Sequence, residues 1–213
     1  MIEANIAQLQ QELPPSVTLV AVTKYAPIAA MSTAYRCGIR HFGESKVQAT
    51  QEKRPQLQEL PDVTWHLIGH LQRNKTRQAL ELFDWIHSID RLSLAQELNR
   101  LIPLVGKSPK LCLQVKLAPD PDKFGWEPQQ LQQELPELLK LNHLQIVGLM
   151  TILPQGTKGE DALAIFKRML PLKADLEQKG LHLPHLSMGM SGDYREAIAA
   201  GATIVRIGSK IFT

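Results

Sequence analysis

The chain has 213 residues, of which 24 are basic and 21 acidic, so its formal net charge is +3. The excess is small and dispersed, whereas nucleic-acid-binding proteins usually carry a clustered basic stripe, so we expect no nucleic-acid partner. Hydrophobic residues make up 44% of the chain and form no run as long as a membrane span, which fits one globular domain over residues 1–213 with no membrane association.

The first two elements are a helix and a strand. Four apolar residues lie on one stripe at helical spacing: Ile2, Ile6, Leu9 and Leu13. Residues 17–22 are β-branched or apolar at every position, which is typical of a strand that is buried on both faces in a parallel sheet. A helix is predicted next over 28–37, and Gly38 is placed to end it.

Strands and helices then alternate to the end of the chain. The predicted strands are 17–22, 39–42, 63–68, 85–89, 111–117, 144–150, 185–188 and 203–207. The predicted helices between them are 28–37, 44–54, 75–83, 92–102, 128–141, 160–178 and 194–200. Eight such units predict an α/β fold, a single (β/α)8 TIM-type barrel with an extra N-terminal helix. We expect the extra helix to contribute to the outer layer.

An open doubly wound sheet is the alternative architecture. It requires a GxGxxG motif directly after its first strand, and no such motif is present there. The closed barrel is therefore the preferred prediction.

The two cysteines, Cys37 and Cys112, are far apart and form no CxxC pair. They indicate neither a zinc site nor a disulfide framework, and a reduced intracellular protein is the simpler interpretation. The first residues contain neither a basic segment nor a long apolar run, so we expect no signal peptide and a cytoplasmic location.

Lys24 is the first candidate site residue, because barrel enzymes build their sites where the strands end. It shares the parity of Val22, Val20 and Thr18, which places all four side chains on one face. An apolar wall favours the neutral amine, the form that a Schiff-base nucleophile requires. The alternative interpretation is a solvated lysine at the end of a strand.

Two turns that contain glycine and serine follow the seventh and eighth predicted strands. One contains Ser191 and Gly192, and the other contains Gly208 and Ser209. Barrels frequently bind phosphate in these two loops, where glycine lets the backbone approach the anion. We predict a phosphate site, with two ordinary turns as the alternative.

Arg206 lies inside the last predicted strand, between Val205 and Ile207. A guanidinium group stays charged and only donates hydrogen bonds, so inside a barrel it requires an acceptor. A ligand contact and a structural salt bridge are both open for this residue.

Ordered motifs extend along nearly the whole chain, from Val20 to Phe212. They are AVTK at 21–24, FGE at 42–44, WHLIGHLQ at 65–72, NK at 74–75, HSID at 87–90, KFG at 123–125, GLM at 148–150, LSMGMSGD at 186–193 and VRIG at 205–208. Each motif alone is weak, but the ordered set is specific and resembles the pyridoxal phosphate homeostasis protein family. The fold of that family is the N-terminal barrel of bacterial alanine racemase, in agreement with the predicted barrel.

The resemblance implies a cofactor, pyridoxal 5′-phosphate (PLP), and a role for each matching residue. Lys24 would hold PLP as a Schiff base, the internal aldimine. The phosphate group would be held by Ser191, Gly192, Gly208 and Ser209. Arg206 would contact the pyridine nitrogen, and Met188 and His66 would lie near the ring.

The function that the resemblance implies is intracellular PLP (vitamin B6) homeostasis, with an effect on amino- and keto-acid balance and little or no turnover. The expected partners are PLP itself and apo PLP enzymes as its recipients, and we expect a monomer. A PLP-dependent amino-acid racemase is the alternative, but two-base racemisation needs a group that a second domain supplies, and we expect no room for that domain here. A phosphosugar aldolase or isomerase would need further acid/base groups around the mouth, and the sequence offers no convincing set.

Overall fold

The structure, a computed structural model, describes residues 1–120 and 123–213. Eight parallel strands pair in chain order, and β1 pairs with β8, so the sheet is a closed barrel. The strands are β1 (Thr18–Val22), β2 (His41–Glu44), β3 (Thr64–Leu67), β4 (Trp85–Ile89), β5 (Lys110–Gln114), β6 (Gln145–Met150), β7 (His185–Ser187) and β8 (Ile204–Ile207). The predicted barrel is confirmed.

Helices connect the strands on the outside of the barrel. Those in the described ranges are α1 (Ile2–Glu12), α2 (Ile28–Arg36), α3 (Val47–Lys53), α4 (Thr76–Leu82), α5 (Leu92–Val105), α6 (Pro128–Leu138), α7 (Gly159–Lys167), α8 (Met169–Gln178), α9 (Tyr194–Ala199) and α10 (Ser209–Phe212). Short 3₁₀ helices cover Arg54–Leu57 and Arg73–Lys75. None of these helices combines the length and the apolar character that a membrane span requires.

Two helix predictions need correction. The helix predicted over 160–178 is divided into α7 and α8 at Arg168. Pro171 explains the break, because it has no N–H to donate to the carbonyl four residues earlier and so belongs in the first turn of a new helix. The helix predicted from Glu44 begins instead at Val47, and Glu44 is the last residue of β2.

The N-terminal helix is part of the outer layer, as predicted. It packs against α2 and α10, and the Asn5 amide donates to the carbonyl of Ile211 at 3.2 Å. Its last residue, Glu12, accepts hydrogen bonds from Tyr194 and Arg195 at the start of α9. The helix therefore supports the two elements that follow β7 and β8.

Apolar side chains fill two separate regions. A large cluster lies between the barrel and the helices, and a small one lies inside the barrel. The interior cluster consists of Val20, Trp85, Cys112, Met150 and Ile204. Other inward positions carry polar residues, which have to find hydrogen-bond partners inside the barrel.

Candidate functional site

Lys24 follows β1 after one intervening residue, at the carboxyl end of the barrel. Its side chain is exposed, and its Nζ lies 5.0 Å from the centre of the Tyr25 ring, which is itself 88% exposed. Lys24 is exposed two residues beyond the end of β1, so its side chain is not buried against the apolar wall expected beside it. The amine is open to solvent and to ligands.

Thr23 fixes the backbone directly before Lys24. Its N–H donates to the carbonyl of Gly43 at 2.9 Å, and its hydroxyl donates to Oε1 of Glu44 at 2.7 Å. Its carbonyl accepts from Nζ of Lys53 at 2.6 Å, and the same ammonium group lies 2.8 Å from Glu44. Because Glu44 is fully buried, this ion pair is an internal anchor for the turn that presents Lys24. The sequence pattern predicts a helix from Glu44 and therefore gives no sign of this pair.

Arg206 is buried in β8, with 2% of its surface exposed. It donates from Nη1 to the hydroxyl of Ser187 at 2.7 Å and from Nη2 to the carbonyl of Thr151 at 2.9 Å. Both acceptors are neutral. Arg206 therefore forms no salt bridge within the described residues, and the ligand contact is the interpretation that stays open. Burial lowers the pKa of Arg206 to about 10, which still leaves it charged at neutral pH.

The two loops predicted to hold phosphate lie next to each other. The N–H of Gly208 donates to the hydroxyl of Ser191 at 3.3 Å, which joins the loop after β8 to the loop after β7. The backbone N–H groups of Ser191 and Gly192 make no hydrogen bond to any residue in the described ranges, so they are available to an anion. A Cβ built on Gly192 meets nothing within 4 Å, so the glycine leaves open space where a ligand could approach. Ser209 is exposed at the start of α10.

The barrel topology gathers these groups on one arc. Strands β7, β8 and β1 are consecutive in the closed sheet. The two loops follow β7 and β8, Arg206 lies in β8, and Lys24 follows β1. A Cβ built on Gly208 would lie 3.2 Å from the Cβ of Val22, two residues before Lys24. The arc presents an amine, a buried cation and free N–H groups, which fit an aldehyde, a ring nitrogen and a phosphate group respectively.

Met188 and His66 lie away from open space. Met188 is fully buried in the cluster between the barrel and the helices, because it follows Ser187, whose side chain points inward. The predicted contact between Met188 and the ring stays a prediction. His66 does point inward, but both of its ring nitrogens are engaged by other histidines, at 3.0 Å and 2.9 Å. Its predicted position near the ring stays a prediction.

Three histidines form a hydrogen-bonded chain through the barrel interior. Nδ1 of His41 lies 3.0 Å from Nε2 of His66, and Nδ1 of His66 lies 2.9 Å from Nε2 of His87. Nδ1 of His87 lies 2.8 Å from the hydroxyl of Ser187, which also accepts from Arg206. Burial is the main cause that lowers the pKa of all three imidazoles. The signal that could have revealed the chain is three histidines at inward positions of consecutive strands.

A cavity of about 590 Å³ opens at the carboxyl ends of β3 to β7. Gly192 and Asp193 line one side of it, and His70, stacked on Phe124 at 3.6 Å between ring centres, lines another. His70 is held by Asp90 at 2.8 Å. No group of three histidine, cysteine, aspartate or glutamate residues in the described ranges could hold a metal ion.

The fold and this arc define a barrel of the alanine racemase type, and comparison with known proteins agrees. The family model of the alanine racemase N-terminal domain matches residues 1–213. A pyridoxal phosphate homeostasis protein of Synechocystis is 48% identical over 201 residues, which are 94% of this chain and 92% of the relative. The chain therefore belongs to the alanine racemase N-terminal domain family, and within it to the pyridoxal phosphate homeostasis proteins.

Solved structures show the same likeness. PipY of Synechococcus elongatus superposes with TM-scores of 0.97 without PLP and 0.96 with PLP bound, at 50% and 49% identity over 100% of both chains. An alanine racemase of Clostridium difficile superposes with a TM-score of 0.79 at 14% identity, over 99% of this chain and 56% of that one. At such low identity the racemase shares the fold alone.

Proposed function

We propose that this chain binds PLP covalently through Lys24 and serves in intracellular PLP homeostasis. The observation that carries the proposal is the arc on β7, β8 and β1, which gathers an exposed amine, a buried guanidinium group and two adjacent loops, the first of which has free N–H groups at Ser191 and Gly192. The PLP-bound structure of PipY, which is 49% identical over the whole chain, supports the choice of cofactor.

Each residue of the arc has one role in this proposal. Lys24 supplies the amine that bonds to the aldehyde carbon. The hydrogen bonds of Thr23 to Glu44 and Lys53 hold the turn that carries Lys24. Ser191, Gly192, Gly208 and Ser209 hold the phosphate group through backbone N–H and hydroxyl groups. Arg206 donates to the ring nitrogen. Bound PLP supplies a reactive aldehyde and an electron-withdrawing ring.

Arg206 is also the reason to expect little or no turnover. Its guanidinium group only donates, so it bonds to the ring nitrogen in its unprotonated form. The electron-withdrawing power of the ring is strongest with that nitrogen protonated, so a partner that only donates leaves the ring a weaker electron acceptor. We therefore propose a carrier or regulator rather than a racemase, in the form of a single-domain monomer.

The exposure of Lys24 favours exchange of the cofactor with other proteins. A solvent-facing amine can be reached by competing amines, so apo PLP enzymes are the recipients that we propose. Cys37 and Cys112 are both free, which supports a reducing compartment such as the cytoplasm.

Titration with PLP, followed by visible absorbance, tests the proposal. The wild type should develop the band of a protein-bound imine, and Lys24→Ala should not. Lys116→Ala is the matched control, because Lys116 is a half-buried lysine paired with Glu127 at 3.1 Å, and it should retain the band. An unchanged band in Lys24→Ala would contradict the assignment.

Exchange of the α-proton of several amino acids in heavy water, followed by NMR, tests the lack of turnover. The PLP-loaded protein should exchange far more slowly than an ordinary enzyme. Exchange at about 10 per second would contradict the carrier function and favour the racemase function.

A further inference from the structure

A second cavity lies at the opposite, amino-terminal end of the barrel. Its volume is about 510 Å³, and it is lined by residues at or near the beginnings of seven strands and by the segment before β5. The lining consists of Thr18, His41, Thr64, Asp84, Trp85, Lys107, Ser108, Pro109, Lys110, Gln145 and His185. Residues at this end of a barrel usually serve stability alone, so a polar cavity here needs its own explanation.

The histidine chain ends in this cavity. His66 and His87 are 1% and 0% exposed, whereas His41 is half-buried and lines the cavity wall. The chain therefore connects the cavity, through Ser187, to Arg206 on the cofactor arc. A buried imidazole nitrogen without a hydrogen-bond partner would cost folding free energy, so every hydrogen bond of the chain has to be present in the folded protein.

The hydroxyl group of Ser187 sets the direction of the chain. Its oxygen accepts from Arg206, and its proton has no acceptor among the described residues other than Nδ1 of His87, so the serine donates to that nitrogen. His87 then donates from Nε2 to His66, and His66 donates from Nε2 to Nδ1 of His41. With all three rings neutral, His41 keeps its own proton on Nε2 as a donor at the cavity end of the chain.

The charges around His41 are mostly positive. Nζ of Lys107 lies 3.0 Å from Oδ1 of Asp84, so these two charges cancel. The other oxygen of Asp84 accepts from the backbone N–H of Trp65 at 2.8 Å. Lys110 is exposed, lies over the Trp85 ring at 5.1 Å and forms no ion pair within the described ranges. His185, also half-buried, is the remaining titratable group on the wall.

We propose that this amino-terminal cavity is a binding site for a small oxyanion, a carboxylate or a phosphate, with His41 and Lys110 as its principal donors. Hydroxyl groups of Thr18 and Thr64 supply further donors around the same space, whereas the hydroxyl of Ser108 donates to the carbonyl of His143 at 3.2 Å. An acceptor-only ligand matches this lining, whereas a cation would meet the unpaired charge of Lys110.

Binding of an anion is linked to the histidine chain. The negative charge favours protonation of His41, which takes one proton from solvent. Nδ1 of His41 then carries a proton and becomes a donor to Nε2 of His66. This hydrogen bond requires that Nε2 of His66 gives up its own proton, so His66 changes to the tautomer that is protonated on Nδ1. The change of tautomer passes to His87 and ends at Ser187, beside Arg206. The site is thus connected to the cofactor arc, although its existence does not depend on PLP.

NMR of the protein without cofactor, labelled with ¹⁵N in its histidines, tests the proposal. Inorganic phosphate and succinate are compared with chloride at equal ionic strength, and His41→Gln identifies the His41 signals. We expect saturating phosphate or succinate to raise the titration midpoint of His41 by roughly one pH unit, a tenfold change in proton affinity. An effect of one probe alone identifies the ligand as a phosphate or as a carboxylate.

Two controls make the result decisive. Lys110→Met changes an exposed side chain, so it should leave the fold intact and abolish the anion effect. His143, which is exposed and outside the cavity, should not respond to either anion. The proposal is overturned by a His41 midpoint that neither probe moves, by an equal shift at His143, or by a full effect in Lys110→Met.

Discussion

The two ends of this barrel are polar in different ways. At the carboxyl end, loops present Lys24 and free backbone N–H groups to solvent, and a buried ion pair fixes the turn beneath Lys24. At the amino-terminal end, strand residues hold His41 in place through hydrogen bonds to a chain of buried imidazoles. Loops can close around a large cofactor and release it, whereas strand positions can only keep a preset geometry. Arg206 belongs to both regions, since it lies in β8 on the arc and donates to Ser187 at the end of the histidine chain.

The largest loss of stability is expected at the anchor of the carboxyl end. Lys53→Met leaves the carboxylate of Glu44 buried without its partner, and we expect the free energy of unfolding to fall by about 3–5 kcal/mol. Urea unfolding measures the change. Lys140→Met is the control, because its pair with Glu137 is exposed and should contribute at most about 1 kcal/mol. An equal decrease in the free energy of unfolding of the two variants would mean that the buried pair stabilises the fold no more than the exposed pair does.

Acid should act mainly through the histidine chain. Folding lowers the pKa of His66 and His87 well below 6.5, so their contribution is complete above that value and is lost as the pH falls below it. The free energy of unfolding should decrease between about pH 7 and about pH 5 by up to about 1.4 kcal/mol per pH unit for each imidazole. Urea unfolding at several pH values, with exposed His143→Gln as the control, measures the slope. A flat profile would contradict the buried neutral chain.

The link between the two regions can be broken at one hydroxyl group. Ser187→Ala leaves Nδ1 of His87 and Nη1 of Arg206 without their shared partner, at an expected cost of about 1–3 kcal/mol. Thermal or urea unfolding measures the cost. Ser88→Ala is a close control, because Ser88 is also fully buried but its hydroxyl has no partner in the described structure. Indistinguishable losses would remove the special role of Ser187.

The phosphate site that we propose in the loops after β7 and β8 should be sensitive to a single methyl group. Gly192→Ala meets nothing within 4 Å, so the melting temperature should not change, while PLP affinity should fall roughly tenfold, or about 1.4 kcal/mol. Gly208→Ala should lower both quantities, since its Cβ would press on Val22 at 3.2 Å. Fluorescence or absorbance titration gives the affinities. Full affinity in Gly192→Ala would place the phosphate elsewhere.

The barrel could be predicted from the sequence because β-branched runs and helical stripes alternate eight times, and the strands confirm it. The residues on the arc could also be placed at the strand ends, because a parallel barrel brings all such ends to one side. The exposure of Lys24 could not be predicted, because strand parity gives the direction of a side chain but not whether neighbouring residues cover it. The histidine chain could have been suspected from three histidines at inward positions of consecutive strands, but its hydrogen bonds depend on the register between those strands. The pair of Glu44 with Lys53 depends on a contact between a strand and a helix, which no local pattern records.

Reduction with borohydride in the presence of PLP, followed by peptide mapping, tests the central claim most directly. Reduction converts the bond between the cofactor and its lysine into a stable secondary amine, so the label marks the residue that held it. The account predicts one pyridoxyl group, on Lys24, with the label absent from Lys24→Ala. Stoichiometric label on Lys116, Lys75 or Lys53, with Lys24 unmodified, would contradict it.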